Sequence, residues 1–299
     1  MEAVALFSHP VIARKKLSSD RAARIKGALH MEKTNRTKQL AESAVMVAAA
    51  TVLSLITVIK MPYGGSVTPF SMLPIIIIAY RYGTVSGLVT GLCYGLIQMI
   101  LGASNLSYAT SFGAAVAIIL LDYLIAFGAM GLAGVFKKAV KDPVASITLG
   151  TILACFVRYI CHVISGCTVW AGVSIPDTDG LVYSLVYNSA YMVPETILTV
   201  AGAIWLFSLL DFRKPELTRM VREKNSKAYT AFTSVSLLSI IAVIVYDAIS
   251  VFGAIQSEEG FDITLISNAN FSLMGIITAI GAVLSVVLFV IAKQGFEKK

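Results

Sequence analysis

Apolar positions along the chain fall into eight blocks separated by polar or charged stretches. They run roughly Glu42–Ile59, Phe70–Tyr80, Val85–Leu101, Ala114–Phe136, Leu149–Val173, Leu181–Leu210, Ala231–Phe252 and Phe271–Ala292. Several approach the ~20 residues a helix needs to cross a bilayer core. None shows the short alternating pattern of a transmembrane β-strand. The pattern therefore predicts an all-α polytopic membrane protein with about eight spans. The second block is short, begins near Pro69 and has Pro74 inside it. Short, proline-interrupted spans occur in transporters, where neighbouring helices or a cavity re-satisfy the freed backbone groups.

The charges between the blocks set an orientation. Arg14, Lys15, Lys16, Arg21, Arg24, Lys26, Lys33, Arg36 and Lys38 precede the first block. Arg81 follows the second, Lys137, Lys138 and Lys141 the fourth, and Arg213, Lys214, Arg219, Arg222, Lys224 and Lys227 the sixth; Lys293, Lys298 and Lys299 close the chain. The alternate loops carry Asp177, Asp179, Glu258, Glu259 and Asp262, with Lys60 as the one basic residue on that side. The positive-inside rule thus predicts two cytoplasmic termini. Four segments follow: a basic cytoplasmic arm (1–40), a six-helix membrane core (41–210), a basic connector (211–230) and an accessory two-helix hairpin with a short tail (231–299).

Composition agrees. The chain is 57% hydrophobic and 14% charged, against about 25% charged in a soluble domain. The net charge of +7 follows topology and does not imply nucleic-acid binding. The first forty residues are expected not to act as a secretory signal, since no compact apolar stretch leads to a cleavage site. Cys93, Cys155, Cys161 and Cys167 all lie in apolar blocks without zinc-site spacing, so no metal or other cofactor is expected. Neither a G-x-x-x-x-G-K-[ST] phosphate loop nor an H-E-x-x-H motif is present. Gly83, Gly87, Gly91 and Gly95 read as a close-packing face.

The polar exceptions inside the blocks carry the functional signal. Asp122 lies in the fourth block, and Arg158 and His162 in the fifth. A charged group at bilayer depth costs a few kcal/mol even on lenient scales (about 2.5–3.5), so such residues mark ion pairs or polar cavities. Arg158, His162 and Gly166 recur every four residues, a step that drifts only about 40° around a helix. Trp170 continues that stripe. Tyr183, Tyr187 and Asn188 cluster near the outer end of the sixth block, with Tyr191 and Glu195 deeper, and Tyr123 adjoins Asp122. The loop Met61–Thr68 adds Tyr63 and a Gly64–Gly65 pair. All converge on the outer half of the membrane. A carboxylate attracts a cation, and aromatic faces stack on flat or cationic rings. The expected ligand is small, flat, aromatic and cationic. Each residue has a plainer reading too: Asp122 and Arg158 as a structural ion pair, His162 bonding a carbonyl, the aromatics as an interfacial belt, Asn188 and Glu195 as interhelical contacts. On the first block, Ala44 and Ala48 form a small-xxx-small pair that suits either internal packing or a docked helix.

Three runs carry a resemblance: LDYLIAFGAMGLAGVF at 121–136, RYICHVISGCTVW at 158–170 and YSLVYNSAYMVPE at 183–195. With AVMVA at 44–48, they resemble the thiamine-specific substrate-binding subunit of energy-coupling-factor (ECF) transporters, over roughly residues 41–210. The resemblance implies that Asp122 is the acidic ligand to the thiamine rings, with Tyr123 beside it and Arg158 as the basic partner of that acid. It places His162, Gly166 and Trp170 on the wall packing the rings, and Tyr183 and Asn188 as polar contacts. Ala44 and Ala48 would dock on a transmembrane coupling subunit that is served by two cytoplasmic ATPase subunits. Some members have Glu for Asp122 and Lys for Arg158. A tryptophan that some relatives carry in the first outer loop is absent, and Tyr63 stands in for it; another after the fifth span is also absent. The implied function is thiamine capture by the non-enzymatic subunit of an ATP-driven importer in the cell membrane. The alternatives are a stand-alone secondary transporter and an ECF subunit for a related pyrimidine such as hydroxymethylpyrimidine. An intramembrane enzyme using His162 and Asp122 would lack a nucleophile.

Overall fold

The computed structural model describes residues 35–61, 64–169, 180–220, 226–257, 260–261 and 263–296. The chain divides into two compact units, Met1–Val45 and Met46–Lys299. Residues 35–54 are helical (α1), those up to 45 belonging to the first unit. Ala44 and Ala48 are both exposed.

In the second unit the helix does not continue to Ile59 as the hydropathy suggested. The β-branched run Ile56–Thr57–Val58–Ile59 favours extended backbone, and strand β1 (Ile59–Lys60) pairs antiparallel with β2 (Ser66–Val67). Val58 N–H donates to Val67 O at 3.0 Å and Met61 N–H to Gly65 O at 2.7 Å. Gly64 turns this ribbon with φ +102°, a conformation costly for any residue with a Cβ.

Helix α2 (Leu73–Tyr82) starts three residues later than expected. Pro74 does not interrupt it. It occupies the first turn, where the missing N–H has no intrahelical partner to lose. Residues Leu73 to Tyr80 are all buried, so α2 lies inside the protein rather than facing lipid. Helix α3 (Thr84–Leu101) crosses beside it. Gly87 abuts Gly131, Gly91 abuts the Phe127 carbonyl, and Gly95 sits over the Tyr123 carbonyl. These three glycines form a close-packing face, as the spacing suggested, whereas Gly83 has open space around it and instead turns the chain between α2 and α3 at φ +94°.

The fourth span, Phe112–Lys137, is not one regular helix. It opens as α4 (Phe112–Ile118), widens into a π-helical turn at Ile119–Leu124, resumes as α5 (Ile125–Gly128) and tightens to 3-10 geometry over Ala129–Lys137. Helix α6 (Pro143–Thr168) begins six residues before the predicted block because Asp142 caps it, accepting from Ala145 N–H at 2.6 Å, with Pro143 in its first turn. Helix α7 (Gly180–Leu209) contains Pro194 and runs antiparallel to α6: Gly166 meets Ser184, His162 meets Asn188 and Arg158 meets Glu195.

Past α7, β3 (Leu210–Asp211) and β4 (Thr218–Arg219) form a short ribbon in the basic connector. Arg213 donates to both Asp211 oxygens, at 2.8 and 3.0 Å, and this holds the Asp211 carboxyl below the usual carboxylate range. Helices α8 (Ser226–Ile255) and α9 (Phe271–Phe296) pair antiparallel through Ser236–Ser285 and Asp247–Thr278 contacts at 2.8 and 2.6 Å. Helix α8 also packs on α7, where Trp205 Nε1 donates to Ser234 Oγ at 3.2 Å. Six described helical segments are long and apolar enough to cross a membrane, and the protein is an all-helical, multi-pass membrane protein.

Candidate functional site

A cavity of about 320 Å³ opens at the end of the bundle that carries the β1–β2 ribbon. Its walls come from the ends of α1 and α3, the π turn, the later turns of α6 and the first half of α7. Asp122, Tyr123, Arg158, His162, Gly166, Tyr183, Tyr187 and Asn188 all line it. Tyr63 and Trp170 lie outside the described residues.

The charge pairing differs from the sequence expectation, which matched Arg158 to Asp122. Arg158 Nη1 instead donates to Glu195 Oε2 at 2.9 Å, and its guanidinium lies 4.5 Å over the Phe127 ring. Glu195 is 2% exposed and is saturated. Its other oxygen accepts from Thr68 N–H at 2.8 Å and from Thr68 Oγ1 at 2.6 Å. Arg158 therefore brings its own buried counter-ion from the antiparallel helix. Asp122 is met one turn further along α6: its Oδ1 lies 3.1 Å from His162 Nδ1, and its Oδ2 accepts from Ser165 Oγ at 2.7 Å. Asp122 lies in the π turn, whose wider step shifts the direction in which its residues project, and such turns recur at functional sites.

These pairings set the electrostatics. The Arg158–Glu195 pair is neutral as a unit, and Lys60 at the rim is exposed. Asp122 is the more open carboxylate, its side chain 18% exposed against 2% for Glu195. Its partners include an imidazole and a hydroxyl, neither a permanent cation. With Nδ1 engaged by Asp122, His162 Nε2 is buried with no hydrogen-bond partner among the described residues. In the neutral ring that nitrogen accepts a proton donor. The wall thus carries a carboxylate suited to a cationic group, with a buried imidazole nitrogen that has no hydrogen-bond partner among the described residues beside it.

The aromatic wall lies on α7. Tyr183 and Tyr187 stack with centroids 6.3 Å apart and planes at 12°, and Tyr191 meets Tyr187 edge-on at 6.0 Å and His162 at 6.1 Å. Tyr187 OH accepts from Gly65 N–H at 3.3 Å, tying the ribbon to this wall. Across the cavity, Tyr123 donates to Gly102 O at 3.0 Å and accepts from Asn105 at 3.1 Å, both also lining residues. Asn188 uses its amide between helices, donating to Ser184 O at 2.9 Å and His162 O at 3.3 Å and accepting from Tyr191 OH at 2.7 Å. Gly166 is small because a Cβ there would meet Ser184 Oγ.

Tyr191 and Glu195, which the sequence placed deeper in the sixth-block cluster and the resemblance did not assign, line the cavity as well, three and seven residues after Asn188 on one helix face. Gln98, which donates to Ser54 Oγ at 2.9 Å, and Thr68 also line the cavity. Neither carries a charge in hydrocarbon that would have flagged it.

A sequence-family profile described as "Thiamine transporter protein (Thia_YuaJ)" matches residues 40–216. The chain is 36% identical over 187 residues to a thiamine transporter, ThiT, of Bacillus subtilis strain 168, covering 58% of this chain and 93% of that protein. It is 28% identical over 193 residues to a thiamine transporter, ThiT, of Lacticaseibacillus paracasei, covering 57% of this chain and 87% of that one. A solved structure of ThiT from Listeria monocytogenes superposes with a TM-score of 0.48 at 25% identity, over 57% of this chain and 94% of that chain.

Proposed function

Since the chain belongs to the thiamine transporter protein family, we propose that it captures thiamine at the outer face of the cell membrane as the substrate-specific subunit of an ATP-driven ECF importer. The observation that carries this reading is the cavity itself. Asp122, the Arg158-paired Glu195, an imidazole whose Nε2 has no hydrogen-bond partner among the described residues, and a tyrosine wall share it, and thiamine joins an aminopyrimidine to a cationic thiazolium. Asp122 attracts the cation or fixes the amine. His162 Nε2 accepts from the aminopyrimidine, and Tyr183 with Tyr187 covers a ring face. Arg158 and Glu195 brace α6 against α7 behind the ligand. A cavity of this volume sits at the lower end of the range for small-molecule sites, roughly 300–1,000 Å³.

The subunit performs no chemistry of its own. Transport energy comes from two cytoplasmic ATPases through a transmembrane coupling subunit, docked on the exposed alanines Ala44 and Ala48. The basic arm and connector hold both termini in the cytoplasm, so the ribbon end of the bundle faces outwards. In this reading residues 41–210 form the binding core, 211–230 the connector and 231–299 an accessory hairpin.

A calorimetric competition panel tests ligand identity. Thiamine is expected to bind most tightly, and its phosphates more weakly, because the one lining guanidinium is already matched by Glu195. Hydroxymethylpyrimidine displacing thiamine at equal concentration would move the assignment to the pyrimidine half. Coupling is tested separately: the tagged protein should retain a transmembrane partner and two ATPases through purification, and Ala44→Trp with Ala48→Trp should release them while leaving thiamine binding intact. Retention of the partners by that variant would contradict the docking surface.

A further inference from the structure

The β1–β2 ribbon has two unlike faces. Ile59 pairs with Val67 and Lys60 with Ser66, and side chains of cross-strand partners share a face. Lys60 and Ser66 line the cavity. Ile59 and Val67, with Met61, are buried on the other side. They belong to one apolar cluster with Tyr191 and Met192 of α7 and with Ala248, Phe252 and Ile255 at the far end of α8. A two-stranded ribbon is marginal in isolation, so this face needs cover. Part of that cover comes from residues beyond the 40–216 family match.

We propose that the α8–α9 hairpin positions the β1–β2 ribbon over the cavity and so sets how fast ligand escapes, with Phe252 as the positioning residue. On its cavity side the ribbon is held by Gly65 to Tyr187 and Thr68 to Glu195. On its outer side it is held by the apolar cluster. Both grips converge on Tyr187 and Tyr191, which pack at the edge of that cluster and also line the cavity. Ile241, Ile244 and Val251 of α8 and Ile266 pack at the edge of the same cluster, whereas Ile276, Ile280 and Val283 of α9 are exposed, as lipid-facing residues are. The Ser236–Ser285 pair and the Trp205–Ser234 bond fasten α8 to its neighbours on residues outside the cluster. Phe252 does not line the cavity, so its effect on ligand escape runs through the cluster that backs the ribbon.

The part concerning escape rests on the thiamine reading; the part concerning the ribbon does not. Amide hydrogen exchange in residues 59–61 and 64–67 of the ligand-free protein, and the dissociation rate of thiamine, should be compared in Phe252→Ala, Phe252→Leu and Ser236→Ala. Phe252→Ala should speed both by about tenfold, the effect of losing roughly 1.4 kcal/mol of packing. Phe252→Leu should recover most of it, and Ser236→Ala should match the parent. Should Phe252→Ala not fold, Phe252→Val, which removes less of the ring's packing, carries the test, with exchange of the ribbon rising before that of α6. Ribbon exchange unchanged in Phe252→Ala and Phe252→Val, or raised as much by Ser236→Ala, overturns the proposal. A parent protein that binds no thiamine while Phe252→Ala still loosens the ribbon overturns the ligand reading alone.

Discussion

Asp122, Arg158 and His162 are conspicuous because hydrocarbon makes every ionisable side chain expensive, and that expense was readable in sequence. Their partners were not. Arg158 and His162 stand one turn apart on α6, and Asp122, in the π turn, meets His162. Glu195, two turns below Asn188, then takes the guanidinium. Two predictions belong to these residues. Asp122→Asn keeps the shape but removes the charge, and should weaken thiamine binding by about 1.5–3 kcal/mol, the range for hydrogen bonds to charged groups, measured by calorimetry. Arg158→Met or Glu195→Leu alone strands a buried charge and should cost about 3–5 kcal/mol of stability. The double variant should lose distinctly less than either single one, read by thermal unfolding in detergent. A loss in the double variant equal to the sum of the two single losses would mean that the two charges do not interact.

The helices were legible to within a few residues wherever the polar boundary was sharp, as at Thr84–Leu101 and Phe271–Phe296. The failures share a cause: local backbone chemistry outweighed hydropathy. The β-branched run after α1 extends into β1, Pro74 begins α2 where it was expected to break it, and Asp142 caps α6 upstream of its apolar stretch. The π turn and 3-10 segment of the fourth span leave no mark in a hydropathy pattern, because they preserve composition and change only the hydrogen-bond step. The α6–α7 contact offers a test at this scale. Gly166→Ala puts a methyl against Ser184 Oγ, and overpacking of this kind costs about 1–3 kcal/mol. Ser184→Gly should relieve part of that loss, so that the two changes are less damaging together than their sum. Strict additivity in the unfolding midpoints would show that the helices simply move apart.

Two readings operate at the scale of the whole chain, orientation and the division into core and addition. We infer orientation, with both termini cytoplasmic, from charge asymmetry alone. It predicts that Lys60→Cys, on the exposed ribbon, reacts with an impermeant maleimide in intact cells, whereas Lys214→Cys, in the exposed connector, reacts only after permeabilisation. The α8–α9 pair was visible as two plain apolar blocks. Its contribution to the cluster behind the ribbon was not, because Ala248 and Phe252 are ordinary helix residues until α7 brings the ribbon against the same cluster. The claim on which the rest depends is that this cavity holds thiamine against Asp122. Titrating thiamine calorimetrically into the purified parent and into Asp122→Asn addresses it most directly. One saturable site in the parent, clearly weakened in an equally well-folded variant, is the predicted result. No heat of binding in the folded parent, or equal affinity in the two proteins, would contradict it.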